Sequence, residues 1–309
     1  MIKKFRIFGA GEWGLAVANH LSCNDNIVEI YLRDEGKVNE YNQSRLYKNL
    51  SLSFNKSIIF NKISDINFLE CGDDVINIIA SSSSGFLEIV DNHNAYFKSC
   101  KSLTWLTKGL DHINGLLFHE IIDKVLSPDI DKCIISGPSF AKDLVAGKPL
   151  KVSIASTCIA LSDTITSAME TKNFEFETTT DIIGVEVSGV IKNISGILAG
   201  ILTANSYPDE YIDELIVLSQ KDVKNIVSKI TKNQKSYMIT EAELEETTQS
   251  PACYGDMYLT CYFDTSRNRR LGLKIIGRYK LKKVIDKIGT VEGYLSTLTL
   301  HSHKEIFGE

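Results

Sequence analysis

Short apolar runs rich in β-branched residues recur through the first 180 residues, at 5–8, 27–32, 75–80, 102–107 and 132–136. Shorter runs follow at 151–155 and 174–177. Stretches with helical spacing of apolar positions separate most of them, among them 15–21, 85–90 and 116–125. Strands alternating with helices predict an α/β fold built on a parallel, doubly wound sheet. In such a sheet the ligand crevice lies at the carboxyl ends of the strands.

The pattern changes near residue 181. A long apolar stretch, 182–204, is followed by polar helical segments at 209–230 and 271–288, with little strand signal. This predicts two domains, residues 1–181 and a smaller, all-α domain at 182–309. Segment 232–250 is polar and carries Glu241, Glu243, Glu245 and Glu246, as a solvated helix face or loop does. Stretch 182–204 is long enough to cross a membrane, but it holds Glu186, Lys192, Asn193 and four glycines. Charges at mid-membrane are costly, so a buried core helix is expected and no membrane span.

Length and composition narrow the class. A chain of 309 residues has room for about two domains. The net charge of −5 argues against a nucleic-acid binder that relies on a global positive field. The seven cysteines include no C-x-x-C pair and are odd in number, which suits reduced thiols in the cytoplasm and no metal site. A strand expected from residue 5 leaves no room for a signal peptide ahead of it.

The strongest motif is Gly9-Ala10-Gly11-Glu12-Trp13-Gly14, placed between the first strand and the first helix. That is the G-x-G-x-x-G spacing in the context a dinucleotide site requires. Gly9 permits the tight turn, Gly11 lets backbone approach a pyrophosphate, and Gly14 lets helix and strand pack closely. Free N–H groups at the helix start then face the anion. Twenty residues after Gly14 the second strand ends at Arg33-Asp34. An acid there binds the ribose hydroxyls of NAD, whereas an arginine pairs with the 2′-phosphate of NADP, so both cofactors stay open.

Three further groups carry chemistry. Lys108-Gly109 and Ser136-Gly137-Pro138-Ser139-Phe140-Ala141 sit at strand ends, where polar groups face the ligand. Ser81-Ser82-Ser83-Ser84 ends another strand and is expected to border the same crevice. Lys192 lies in the most apolar helix, with Ser188, Ser195 and Gly196 on its own face. Desolvation predicts a depressed pKa for it, and the small neighbours predict room for a ligand beside a general acid/base. Asp256 is placed to hold a lysine ammonium, with Thr260 one helical turn on. Arg267 and Asn268 suit a phosphate clamp. Residues 267–283 hold eight Lys or Arg, but without interleaved aromatics to stack bases, so no nucleic-acid partner is expected. A dinucleotide, a lysine acid/base and an anion clamp together suit hydride transfer to a small phosphorylated ketone.

Seven collinear motifs resemble the bacterial NAD(P)-dependent glycerol-3-phosphate dehydrogenases. They are the glycine turn at 9–14, Thr-Lys-Gly-Leu at 107–110, Ser-Gly-Pro-Ser-Phe-Ala at 136–141, Gly-Val-Glu with Ile-Lys-Asn at 184–193, Gly-Asp with Leu-Thr-Cys at 255–261, Ser-Arg-Asn-Arg-Arg at 266–270 and Val-Glu-Gly-Tyr at 291–294. The resemblance implies a Rossmann domain followed by a helical domain, commonly as a homodimer. It implies reduction of dihydroxyacetone phosphate to sn-glycerol 3-phosphate, the start of glycerophospholipid synthesis. By the same resemblance Lys192 is the proton donor/acceptor at the C2 oxygen. Lys108 polarises that oxygen and contacts both cofactor and substrate, and Asp256 and Thr260 order the lysines. Arg267 and Asn268 hold the phosphate, with Gly137, Ser139 and Ser266 lining the substrate pocket. Glu12, Trp13, Arg33, Ala141, Arg267, Thr290 and Glu292 touch the cofactor.

The chain departs from the family in places. Ser81 to Ser84 stand where Val-Pro-Ser is usual, 203–222 replaces a glycine-rich, arginine-containing segment, and Cys253-Tyr254 precedes Gly255-Asp256 in place of Gly-Leu. Two other readings follow from that drift: a divergent dehydrogenase for a related small ketone in cell-surface polymer synthesis, and a non-catalytic dinucleotide sensor.

Overall fold

The apolar runs become strands of one eight-stranded sheet. A computed structural model describes residues 2–69, 71–72, 74–232, 234–276 and 281–303. In chain order the strands are β1 (Lys4–Phe8), β2 (Ile27–Leu32), β3 (Leu46–Tyr47), β4 (Leu52–Ser53), β5 (Ile59–Lys62), β6 (Val75–Ile79), β7 (Ser102–Trp105), β8 (Asp131–Ser136), β9 (Leu150–Ser156) and β10 (Phe174–Thr179). Strands β3 and β4 form a separate antiparallel pair. The main sheet runs in the order β10-β9-β8-β7-β6-β1-β2-β5, with parallel pairing from β5 through β8 and between β9 and β10.

Two compact units divide the chain. The first takes residues up to Thr107 with Phe118–Ile135 and Ser139–Thr180, and the second takes Lys108–Leu117, Ser136–Pro138 and the chain from Asp181 onward. In the first unit β1 lies between β2 and β6, so the strand order reverses on either side of it. Such a reversal opens a crevice beyond the carboxyl end of the strand, and Gly9 stands there. Helices α1 (Glu12–Cys23), α2 (Glu35–Ser44), α3 (Ser83–Asn92), α4 (Asn94–Lys98), α5 (Phe118–Val125), α6 (Ala141–Val145) and α7 (Ile159–Met169) complete this unit. Phe5, Ile7, Val28, Ile30, Ile78, Ile135 and Ile154 are buried in its core, against Leu15, Ala18 and Leu21 of α1.

The second unit is helical: α8 (Ile182–Ala204), α9 (Glu210–Thr231), α10 (Glu241–Gln249), α11 (Asp256–Tyr262), α12 (Arg267–Ile275), α13 (Leu281–Ile288) and α14 (Glu292–Ser302). Asp181 starts α8, its Oδ1 accepting a bond from the Gly184 N–H at 2.7 Å. Ile183, Val187, Val190 and Ile191 then pack with Ile212, Ile216, Val223 and Met257, making α8 the core of the unit. Its most apolar window is 83% buried, which accounts for the length and hydropathy that resemble a membrane segment.

Two expectations for this unit need revision. Gly196, on the Lys192 face, admits neighbouring helices, so that glycine leaves no space for a ligand. A Cβ on Gly196 would lie 2.6 Å from Thr260 Cγ2, and Cβ atoms on Gly200 and Gly272 would overlap Arg269 O and Ile197 O. Helices α8 and α12 therefore meet backbone to backbone. The helix expected over 271–288 begins earlier, at Arg267, because Ser266 caps it: its Oγ accepts a bond from the Arg269 N–H at 3.3 Å. The two helices α12 and α13 stand in place of one, and residues 277–280 between them lie outside the described residues.

Candidate active site

In the first unit the glycine turn has the geometry of a phosphate cradle. Gly9 has φ of +114°, and a Cβ there would stand 2.6 Å from Ala80 O. Gly14 is equally confined, since its Cβ would meet Ala80 Cβ at 2.7 Å. Gly11 is exposed, with Ala80 O the nearest atom to an added Cβ at 3.8 Å. As N-cap of α1 it brings no side-chain acceptor to the N–H groups of the first turn. An open approach over unmatched N–H donors fits a dinucleotide pyrophosphate. Glu12 is exposed, and Trp13 is half-buried with its ring edge-on to Phe174 at 6.4 Å. Ala141 is buried at the start of α6.

At the end of β2 the two rival residues are both engaged. Arg33 Nη1 donates to both carboxylate oxygens of Glu88 on α3, at 2.9 and 2.7 Å. Asp34 is the N-cap of α2, its Oδ1 accepting from the Lys37 N–H at 3.1 Å. Ser82, in the serine run, caps α3 through a bond from the Gly85 N–H at 3.3 Å.

In the second unit two lysines share one carboxylate. Lys108 Nζ donates to Asp256 Oδ2 at 2.6 Å and to the Gly137 carbonyl at 2.7 Å. Lys192 Nζ donates to Asp256 Oδ1 at 3.3 Å and to Thr260 Oγ1 at 3.4 Å. The Asp256 side chain is 3% exposed, against 17% for Lys108 and 12% for Lys192. A π-helical turn, Pro251–Gly255, delivers Asp256 to the N-terminus of α11, where the helix dipole favours an anion. The turn fits closely: a Cβ on Gly255 would touch Pro138 at 3.3 Å.

Burial lowers the Lys108 pKa, Asp256 pulls it up and the nearby Lys192 ammonium lowers it again, leaving it at about 8. A lysine pKa lowered by burial is thus found on Lys108, at a strand end. Ser188 and Ser195 turn their hydroxyls back onto their own helix, to Gly184 O at 2.7 Å and Ile191 O at 2.9 Å.

The candidate anion clamp splits in two. Arg267 is exposed at the start of α12. Asn268 is buried, donating from Nδ2 to Asn193 Oδ1 at 2.7 Å while its own Oδ1 accepts from the Gly293 N–H at 3.0 Å. Asn268 therefore ties α12 to α8 and α14, and an amide nitrogen with two protons keeps one for a ligand. Ser266 is buried, as cap of α12. Ser139, in the first unit, is half-buried. Thr290 is exposed just ahead of α14, and Glu292 is its first residue. His112 brackets that helix, with Nε2 3.2 Å from Glu292 Oε2 and Nδ1 3.1 Å from Thr299 Oγ1. Sequence reasoning found neither the His112 contact nor the parts of Asn193 and Glu88. Only the adjacency of Asn193 to Lys192 could have signalled one of them.

Known proteins match this arrangement over most of the chain. Residues 4–162 match the family described as NAD-dependent glycerol-3-phosphate dehydrogenase N-terminus, and residues 181–306 its C-terminus. The glycerol-3-phosphate dehydrogenase (NAD(P)+) of Ruthia magnifica subsp. Calyptogena magnifica is 32% identical, over 97% of this chain and 87% of its own. That of Herminiimonas arsenicoxydans is 31% identical, over 92% and 82%. The crystal structure of glycerol-3-phosphate dehydrogenase from Coxiella burnetii superposes with a TM-score of 0.84 at 26% identity, covering 98% of this chain and 90% of that one. A glycine cradle in one unit, a lysine pair on one aspartate in the other, and family matches across both make this chain a member of the NAD-dependent glycerol-3-phosphate dehydrogenase family.

Proposed function

We propose that this chain interconverts dihydroxyacetone phosphate and sn-glycerol 3-phosphate with NAD(H) or NADP(H), using Lys192 as the general acid/base. The observation that carries the reading is the sharing of Asp256 by Lys108 and Lys192 beside Thr260. Two ammonium groups held by one buried carboxylate suit a carbonyl oxygen that gains negative charge. Lys192 donates the proton that this C2 oxygen takes up on reduction and removes it on oxidation. Lys108 polarises the same oxygen, and Asp256 and Thr260 keep both amines aimed. Arg267 and the remaining Asn268 N–H hold the substrate phosphate, with Gly137, Ser139 and Ser266 lining the pocket.

When bound, the reduced nicotinamide supplies the hydride for C2. The turn from Gly9 to Gly14 holds its pyrophosphate, and Glu12, Trp13, Arg33, Asp34, Lys108, Ala141, Arg267, Thr290 and Glu292 make the other contacts. The enzyme works in the cytoplasm as a homodimer and feeds glycerophospholipid synthesis. The matched family and the intact lysine–aspartate cluster support this reading over a divergent dehydrogenase or a non-catalytic sensor. The test follows nicotinamide absorbance with dihydroxyacetone phosphate, dihydroxyacetone and glyceraldehyde 3-phosphate, each with NADH and NADPH. A rate with dihydroxyacetone phosphate far above the other two is expected. No rate with it under either cofactor overturns the reading.

A further inference from the structure

The end of β2 holds an arginine and an aspartate whose cofactor preferences oppose each other, and the structure gives them unequal freedom. Both carboxylate oxygens of Glu88 accept from Arg33 Nη1, at 2.9 and 2.7 Å. Arg33 is thus supplied with an anion by the chain itself. Asp34 commits one oxygen to the α2 cap, and Oδ2 makes no hydrogen bond among the described residues. That oxygen is available to a hydroxyl, while the guanidinium is already paired.

We infer that Glu88 sets the cofactor preference, by occupying Arg33 as a stand-in for a 2′-phosphate and so favouring NADH over NADPH. The inference rests on the dinucleotide reading above, with the adenosine ribose at the end of β2. A 2′-phosphate has only Nε and Nη2 of Arg33 left to bind and must sit near the Glu88 carboxylate, two anions around one cation. A bare 2′-hydroxyl meets neither obstacle and finds an acceptor in Asp34. The ion pair is exposed, at 69% for Arg33 and 45% for Glu88, so the bias is of modest size. Neutralisation of Arg33 together with like-charge repulsion amounts to about 5- to 10-fold in relative affinity. Salt screens it.

The experiment titrates the full chain with NADH and with NADPH, read by nicotinamide fluorescence at fixed ionic strength, for wild type, Glu88→Gln, Arg33→Gln and the double variant. Wild type is expected to bind NADH more tightly. Glu88→Gln should improve NADPH binding about 5- to 10-fold relative to NADH, and adding Arg33→Gln should cancel that gain. A wild-type preference for NADPH, or a ratio that Glu88→Gln moves by less than about twofold, overturns the inference and leaves the dinucleotide reading standing. Failure of both dinucleotides to bind wild type overturns the two together.

Discussion

Lys108 Nζ and Asp256 Oδ2 stand 2.6 Å apart across 148 residues of sequence. Asp256 raises the lysine's pKa, yet burial and the Lys192 charge prevail and leave it at about 8. The sign of the pH effect follows. Below about pH 8 the lysine is charged in the folded state. Between there and its ordinary value of 10.5 the unfolded chain holds the extra proton, so this group's contribution to stability improves as pH rises through that window. Catalysis should run the other way, because the ammonium proposed to polarise the carbonyl is lost. We expect kcat/KM for dihydroxyacetone phosphate to fall about tenfold per pH unit above about pH 8. Arginine stays charged, so Lys108→Arg should be slower but lack that alkaline limb. An unchanged limb in the variant would clear Lys108 of the role.

Removing the shared carboxylate should disturb both lysines. Asp256→Asn leaves two ammonium groups with no compensating charge, a loss of about 3–5 kcal/mol for breaking a buried pair. Deprotonation of Lys108 relieves part of that, so the alkaline limb should move below its wild-type position. Urea unfolding and the pH–rate profile of one preparation check the two effects. A variant as stable as wild type with the same profile contradicts the cluster described above.

Lys192→Ala should lower kcat by about 10²- to 10⁴-fold, the usual contribution of a positioned proton donor. Fluorescence titration should show NADH affinity unchanged, which separates chemistry from binding. Full NADH oxidation by this variant is the result that sinks the mechanism.

Gly9→Ala and Gly147→Ala form a matched pair. Both positions have positive φ, but a Cβ on Gly9 would lie 2.6 Å from Ala80 O whereas nothing lies within 4 Å of one on Gly147. The first should weaken dinucleotide binding at least about tenfold and cost about 1–3 kcal/mol. The second should cost about 1 kcal/mol through backbone strain alone, with binding intact. Equal effects in the two would refute the close approach at Ala80.

The two halves of the phosphate clamp should separate under substitution. Arg267→Ala, at an exposed position, should raise KM for dihydroxyacetone phosphate with little change in melting temperature. Asn268→Ala should raise KM and also cost about 1–3 kcal/mol, because the buried Gly293 N–H loses its acceptor. Kinetics and thermal melts on both variants decide it. An Asn268→Ala protein as stable as wild type would show that its bridge between helices is unimportant.

Much of this was legible in residue order. Buried strands announce themselves by continuous apolar runs, and β2 and α8 fall where those runs do. The edge strand β5 escaped because Ile59-Phe60-Asn61-Lys62 pairs on one side only and half of it is polar. The strand-end lysine, the helix lysine and the aspartate were each visible, since their surroundings in sequence were unusual. The lowered pKa of Lys108 was not. How strongly burial depresses Lys108 depends on which elements fold around it, and no local spacing encodes that. Glu88 was equally silent, being one more glutamate on a helix until folding places it opposite Arg33.

The contact of α8 and α12 through Gly200 and Gly272 has one more consequence. With no side chain between the two backbones there, neither glycine can gain even a methyl group unless the helices move apart. A chain can therefore exchange much of its helical exterior while this one seam sets how near α8 and α12 lie.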